Sequence, residues 1–215
     1  MTIQTERRAT PGVAVLTRNG SAMKELFDNV GVAHRLLLLQ DDVSALPMFH
    51  PPLVLDTSAM SVMELARTLH QLTRASTGSP TIAIVRPRAF SHLRLLASCP
   101  AISVILAFPV DAVTLVSVLR YVRTFGSNDT ANGIVWFEVP PLAFDRRVGV
   151  TDLLVALDGA TSLYAVQERM YISRATLRRR LVAIAAMLGI TATYHQPNEW
   201  QQAILVALGT SPLIG

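Results

Sequence analysis

Cysteine is almost absent from this chain, since Cys99 is the only one among 215 residues. A single cysteine excludes an internal disulfide and a cysteine-rich zinc site. Long apolar runs are also absent: the longest, such as 102–110, fall far short of the about 20 residues that a transmembrane helix needs. The first residues, 1–8, contain no apolar signal-peptide segment. We therefore expect a cytoplasmic protein that does not associate with a membrane.

Motifs that would indicate catalysis or metal binding are missing as well. The sequence has no glycine-rich phosphate loop and no Gly-x-Ser-x-Gly nucleophile motif. Its five histidines are scattered, and no pair of them has the spacing of metal ligands. The acidic pair Asp41 and Asp42 is typical of a solvated loop. We expect no enzymatic activity, no metal and no cofactor.

Lysine is nearly absent, because 18 of the 19 basic residues are arginine, and the net charge is only +4. A net charge of this size says little about binding partners, but the basic residues are unevenly distributed along the chain. Four arginines lie within seven positions, and no acidic residue occurs between Glu168 and Glu199. The four are Arg174, Arg178, Arg179 and Arg180. This local cluster is the strongest indication of function.

Short apolar runs alternate with helical patterns in the first part of the chain. The runs are 13–17, 34–40, 52–56, 81–85 and 102–108, and the helical patterns are 21–30, 58–74, 90–97 and 111–124. Ser21 is the expected cap of the first helix. Strands that are apolar throughout and alternate with helices predict a parallel sheet covered on both faces. We predict an α/β domain with a doubly wound five-stranded parallel sheet over residues 11–124.

The chain changes character after this domain. Residues 126–133 are rich in turn-forming side chains, 134–139 has the pattern of a short edge strand, and Pro140 and Pro141 end it. We predict a linker over 125–148. Residues 149–215 carry only helical patterns, at 151–157, 162–170, 173–188 and 198–208. They predict an all-α domain of four helices.

The third of these helices has one apolar face and one basic face. Ser173 is placed to cap it, and its apolar stripe predicts the buried face; the stripe is Leu177, Leu181, Ile184 and Leu188. At about 100° per residue, Arg179 points away from that stripe. We expect Arg179, Arg178 and Thr176 to meet base edges of duplex DNA, and Arg174 and Arg180 to meet phosphates. Ser173, at the start of the helix, belongs to the same expected DNA-binding set.

The same segment resembles the LuxR/FixJ-type helix-turn-helix domain over about residues 150–208. The resemblance lies in Gly159-Ala-Thr, in Tyr171-Ile-Ser-Arg-Ala-Thr-Leu-Arg-Arg-Arg-Leu and in Leu188-Gly-Ile. The chain has one more residue than the family pattern between the first two segments and lacks the Leu-Thr-Pro-Arg-Glu opening. The resemblance implies DNA binding through helix 173–188 and dimerisation through the fourth helix. The fourth helix has one apolar stripe, which would form that contact or pack on the domain core: Trp200, Ile204 and Leu208.

The first domain resembles a response-regulator receiver over about residues 11–124. The resemblance lies in the order of elements, in Leu53-Val-Leu-Asp56 and in Ile105-Leu-Ala-Phe-Pro109-Val-Asp111. It implies that Asp56 occupies the phosphoacceptor position. Receivers, however, carry two acids where this chain has Thr17-Arg-Asn, and a lysine where it has Phe108. We therefore expect a pseudo-receiver in which Asp56 is a vestigial phosphoacceptor, neutralised by a salt bridge with Arg18 or Arg86.

These features together favour a DNA-binding transcriptional regulator, independent of aspartyl phosphorylation and acting as a homodimer on double-stranded DNA. The apolar character of 104–122 suggests that this last strand and helix form the dimer contact, unless they are buried on the sheet. Two alternatives stay open: a protein-interaction adaptor, and a response regulator that is phosphorylated on Asp56. A small-molecule effector at the sheet edge near Thr17, Asp56 and Arg86 is compatible with each of them.

Overall fold

The computed structural model describes residues 12–38, 52–75, 79–125, 135–137 and 149–209. Its centre is a six-stranded sheet in which every neighbouring pair is parallel, in the order β2-β1-β3-β4-β5-β6. The strands are β1 Val13–Thr17, β2 His34–Leu38, β3 Leu53–Asp56, β4 Thr81–Val85, β5 Ile102–Ala107 and β6 Val135–Phe137. The first five have the doubly wound order 2-1-3-4-5. The predicted five-stranded parallel sheet is therefore confirmed.

The sixth strand extends that sheet. β6 pairs in parallel with β5, and its Val135 lies opposite Val104. It falls inside the range 125–148 that the sequence predicts as a linker, and it coincides with the edge-strand pattern noted there. Because β6 covers the outer edge of β5, that edge is not free for the dimer contact expected from 104–122.

Helices cover both faces of the sheet. They are α1 Gly20–Val30, α2 Val62–Ala75, α3 Phe90–Ser98 and α4 Ala112–Phe125. The core that contains Met23 and Phe27 of α1 also contains Leu115 and Val118 of α4, on one face of the sheet. The buried side chains of α2 and α3 belong to the core on the other face. Coverage of both faces explains why β1, β3, β4 and β5 are buried along their whole length.

Two helices begin at residues other than those expected. α1 is capped by the side chain of Asn19, which accepts a hydrogen bond from the backbone N–H of Ala22, and not by Ser21. α2 begins at Val62 because Ser61 and Glu64 form a reciprocal capping box, with Ser61 N donating to Glu64 Oε2 at 2.9 Å. The backbone N–H of Ser58, the expected start, donates to Asp56 instead.

A four-helix unit follows, consisting of α5 Val150–Leu157, α6 Leu163–Met170, α7 Arg174–Leu188 and α8 Pro197–Gly209. These helices match the four predicted over 149–215 in number and place. α5 is short and almost entirely apolar, and it is buried on several sides. None of the helices in the described ranges combines the length and apolar character needed to cross a membrane.

The helical unit packs on the sheet unit through α2 and α3. The core that begins between the sheet and these two helices continues into α5, α6, α7 and α8. Polar contacts surround this junction: Arg67 pairs with Asp158, and His70 Nδ1 lies 2.9 Å from Asp152 Oδ1. The two units, which are separate in sequence, therefore share one hydrophobic core.

Candidate nucleic-acid interface

A sharp turn joins α6 to α7. α6 ends at Tyr171, which adopts the left-handed conformation with φ 53°, and α7 begins after Ser173. The Ser173 side chain accepts a hydrogen bond from the backbone N–H of Thr176 at 3.2 Å, so the predicted cap is present. The three residues 171–173 therefore separate the two helices.

The buried face of α7 is the one that the apolar spacing predicts. Leu177, Leu181 and Ile184 are buried, and Leu188 is half-buried at the end of the helix. Gly189 then ends α7 in the left-handed conformation. Anchoring these side chains in the core fixes which residues of α7 face solvent.

The basic residues lie on that solvent face. Arg174, Arg178 and Arg179 are exposed, whereas Thr176 and Arg180 are half-buried beside the core. No acidic side chain pairs with the four arginines within the described ranges. Their charge adds to the partial positive charge of the helix N-terminus. The surface is therefore a concentrated, unneutralised positive patch, which we call the α7 arginine face.

Another arginine has a structural role. Arg169 near the end of α6 donates to the carbonyl oxygens of Ala156 and Asp158 at 3.1 and 2.6 Å. These groups end α5, where helix carbonyls lack intrahelical partners. Arg169 therefore ties α6 to α5 and does not belong to the α7 arginine face.

The apolar stripe of α8 is buried within the chain. Trp200, Ile204 and Leu208 belong to the core shared with the sheet unit, and Trp200 Nε1 donates to the carbonyl of Tyr194 at 3.0 Å. Arg94 of α3 donates to the carbonyl of Ala207 at 2.5 Å. Of the two interpretations of this stripe, packing on the core is the one observed, and these side chains are not available for a dimer contact.

The helix expected to form a dimer surface is largely buried too. Leu115, Val118 and Leu119 of α4 lie in the core against the sheet, and Val116 is half-buried. Val113 alone among these apolar residues is well exposed, at 75%. Over residues 112–124, whose side chains the structure describes, α4 therefore presents no continuous apolar face to a second copy.

Asp56 lies at the carboxyl end of β3, where the resemblance to receivers places it. It is 1% exposed, and both carboxylate oxygens are hydrogen-bonded: Oδ2 to the Thr17 hydroxyl at 2.7 Å and Oδ1 to the Ser58 N–H at 3.0 Å. The expected salt bridge with Arg18 is wrong, because Arg18 pairs with Glu64. Arg86 is exposed and has no ion pair within the described ranges. A neutral hydroxyl and a backbone N–H thus satisfy this buried carboxylate.

Other polar residues are explained by local packing. His92 Nε2 lies 3.1 Å from the carbonyl oxygen of Met60, and burial lowers the pKa of its imidazole. No group of three metal-ligating side chains occurs within the described ranges. Asp41, Asp42 and His50 lie outside those ranges.

An open groove of about 1150 Å³ lies between the end of α7, the loop after it and α8. Its lining includes Met187, Ile190 and Val206.

The sequence patterns did not single out Tyr171, which the structure places, highly exposed, in the turn before α7. Its side chain is 94% exposed, and Tyr164 on the same helix is 65% exposed. An aromatic residue in the turn immediately before the capped helix is the sequence signal that marks this position.

No family model matches the chain, and no curated protein matches it. Among solved structures, a low-resolution structure of the response regulator StyR is similar to it at 13% sequence identity, with a TM-score of 0.37. The match covers 90% of this chain and 98% of that chain. A TM-score of this size does not establish a common architecture, and the fold described above is defined by the strand order and packing of this chain alone.

Proposed function

We propose that this chain is a DNA-binding transcriptional regulator of the LuxR/FixJ helix-turn-helix kind, with no enzymatic activity. The observation that supports it best is the α7 arginine face: exposed, unpaired arginines on the first turns of a capped helix that follows a turn. Duplex DNA carries one negative charge per about 1.7 Å of its axis, so such a face is attracted to it strongly. A helix of this diameter fits the major groove.

In this proposal α7 enters the major groove by its N-terminal end. Arg178 and Arg179, which face solvent, approach base edges, where a guanidinium can bond guanine through two hydrogen bonds. Arg174, the first residue of α7, and Arg180, half-buried at the edge of the core, approach phosphates. The exposure of Arg174, Arg178 and Arg179 is retained while the helical unit packs on α2 and α3, so binding requires no separation of the two units.

The proposal includes independence from aspartyl phosphorylation. Phosphoryl transfer needs cations that offset the charge on the transferred group. Asp56 is buried, both of its oxygens are hydrogen-bonded, and its side-chain neighbour is the Thr17 hydroxyl. We expect acyl-phosphate donors with Mg²⁺ to leave the intact mass of the protein unchanged; a mass increase located on Asp56 would restore the phosphorylated alternative.

We also propose that two copies bind a pseudo-palindromic duplex, with one α7 per half-site. Because the α8 stripe is buried and β6 covers the edge of β5, the dimer contact in this proposal uses another surface. Sedimentation of the protein with and without duplex measures the number of copies bound.

The test of DNA binding is fluorescence anisotropy of a mixed-sequence duplex across a salt series. Arg178→Ala/Arg179→Ala is compared with Arg86→Ala/Arg120→Ala, a control that removes the same charge from two exposed positions elsewhere. We expect the first variant to bind more weakly, because it loses the two guanidinium groups placed at base edges. Arg174→Ala/Arg180→Ala, which removes the two arginines placed at phosphates, should bind with a flatter salt dependence, since each lost phosphate contact lowers the log–log slope by about 0.9. The control variant should keep the slope of the wild type.

Equal losses in the first variant and in the control would show that only total charge matters, and the assignment of α7 would fail. If the wild type does not bind duplex even at low salt, the protein-interaction adaptor becomes the better hypothesis. A stoichiometric protein partner would then be sought by copurification.

A further inference from the structure

We propose that Tyr171 is a DNA-contacting residue whose phenol hydroxyl donates a hydrogen bond to a backbone phosphate beside α7. This inference rests on the proposed function, since it names an additional contact of the same surface. It starts from an unusual combination at one position: a large aromatic side chain, a left-handed backbone and nearly complete exposure.

The left-handed conformation disfavours tyrosine. Among the described residues, five have positive φ, and the other four are glycines: Gly31, Gly149, Gly159 and Gly189. Glycine adopts this region without steric conflict, whereas a residue with a Cβ is strained there. Three helices in the described ranges have a left-handed C-terminal cap residue, and only α6 has a residue larger than glycine there, since α1 ends on Gly31 and α7 ends on Gly189.

The same pair of backbone hydrogen bonds closes the ends of α1, α6 and α7. The N–H of Tyr171 donates to Glu168 O at 3.1 Å, and the N–H of the next residue donates to Gln167 O at 3.1 Å. The same two hydrogen bonds, from the cap residue and from the residue after it, occur at the other two helix ends. Their donor–acceptor distances are 3.0 and 3.3 Å at Gly31, and 3.4 and 2.8 Å at Gly189. Glycine would therefore serve equally well at position 171 as far as the helix end is concerned.

Packing does not account for the side chain either. Tyr171 is 94% exposed, so its ring adds almost nothing to the core. The end of α6 uses the left-handed backbone of this residue but not its side chain, and residues held in such sparsely populated conformations cluster at functional sites. The ring and hydroxyl of Tyr171 are thus held out to solvent at a cost in backbone conformation.

The position of Tyr171 points to its partner. It lies two residues before the Ser173 cap and three before Arg174, the first exposed arginine of α7. In a helix-turn-helix, the start of the second helix enters the groove, so the turn before it lies over the sugar-phosphate backbone. Tyrosine hydroxyls are among the groups that bond phosphate oxygens.

Tyr164 offers a comparison on the same helix. Its phenol is also exposed, but a hydrogen bond with Glu168 raises the pKa of Tyr164, and the nearby carboxylate repels phosphate. Tyr171 lies in the stretch between Glu168 and Glu199, which contains no acidic residue. The two tyrosines are therefore distinguished by charge environment and serve as a matched pair.

The experiment measures duplex affinity, salt dependence and thermal stability of the full chain for Tyr171→Phe, Tyr171→Asn and Tyr164→Phe. Loss of one neutral hydrogen bond should weaken binding by about three- to tenfold in both Tyr171 variants. The salt slope should not change, because a neutral side chain displaces no counterion. Tyr164→Phe should bind as the wild type does.

Asparagine tolerates the left-handed region better than tyrosine, so Tyr171→Asn should have a Tm at or above that of the wild type. Unchanged affinity in Tyr171→Phe, an equal loss in Tyr164→Phe, or a lower Tm in Tyr171→Asn would each overturn the inference. If Arg178→Ala/Arg179→Ala loses binding while the Tyr171 variants do not, this inference alone fails. If the wild type does not bind duplex, the proposed function fails with it.

Discussion

Thr17 at the end of β1 donates a 2.7 Å hydrogen bond to Asp56 at the end of the neighbouring strand β3, and both side chains are buried. The Thr17 oxygen also accepts the backbone N–H of Asn19 at 2.8 Å, so it connects the carboxylate to the start of α1. This arrangement ties Asp56 to β1 and to the start of α1 at the switch point of the sheet.

We predict that Thr17→Val destabilises the fold. Removing the hydroxyl leaves a buried carboxylate oxygen without a side-chain partner, which costs about 1–3 kcal/mol. Urea denaturation followed by circular dichroism measures the change in the free energy of unfolding. Thr17→Ser keeps the hydroxyl, so its free energy of unfolding should fall distinctly less than that of Thr17→Val. Equal decreases in the two variants would show that the hydrogen bond contributes nothing to stability.

The shared core predicts that the sheet and the helical unit unfold together. Leu153 of α5 is fully buried in that core, and Leu153→Ala should destabilise the protein by about 2–5 kcal/mol. Hydrogen exchange measured by mass spectrometry should show β4 and α8 losing protection at the same urea concentration. Val113→Ala, at an exposed position, is the control and should change little. Separate transitions for β4 and α8 would contradict a shared core.

The junction also contains a carboxylate whose titration can be followed. A hydrogen bond from Arg67 holds the pKa of Asp158 below its ordinary value of 3.8, with a further contribution from Gln201. A lowered pKa in the folded state means that this contribution to stability is present above pH 3.8 and is lost as the pH falls through the folded-state pKa. Because both side chains are partly exposed, the contribution is small, about 0.5 kcal/mol.

We predict that Arg67→Ala raises the pKa of Asp158 toward 3.8, as measured by carboxyl NMR titration. Arg74→Ala removes another exposed arginine of α2 that has no ion pair within the described ranges, and it should leave that pKa unchanged. A pKa of Asp158 that does not respond to Arg67→Ala would exclude the hydrogen bond as its cause.

The regular elements could be predicted because their signals are local. Continuous apolar runs give the strand at Thr81–Val85 without error, and the stripe from Leu177 to Ile184 gives the buried face of α7. The Ser173 cap could be read from sequence for the same reason, since a cap and the N–H that it accepts are three residues apart.

Contacts between distant segments could not be predicted in this way. The expected partner of Arg18 is Asp56, but Arg18 pairs with Glu64, a contact that depends on where α2 begins. The stripe of Trp200, Ile204 and Leu208 would look the same whether it met a second copy or the chain's own core. Apolar spacing identifies a buried face but not the surface that covers it.

The continuity of the core from the sheet through α2 and α3 to α5 and α8 joins the folding of α7 to that of the strands. A substitution in a buried strand, or mild heating, would therefore reduce the number of molecules that present α7, while the α7 surface of each folded molecule stayed unchanged. In a cell such a change would have the effect of a lower concentration of the protein.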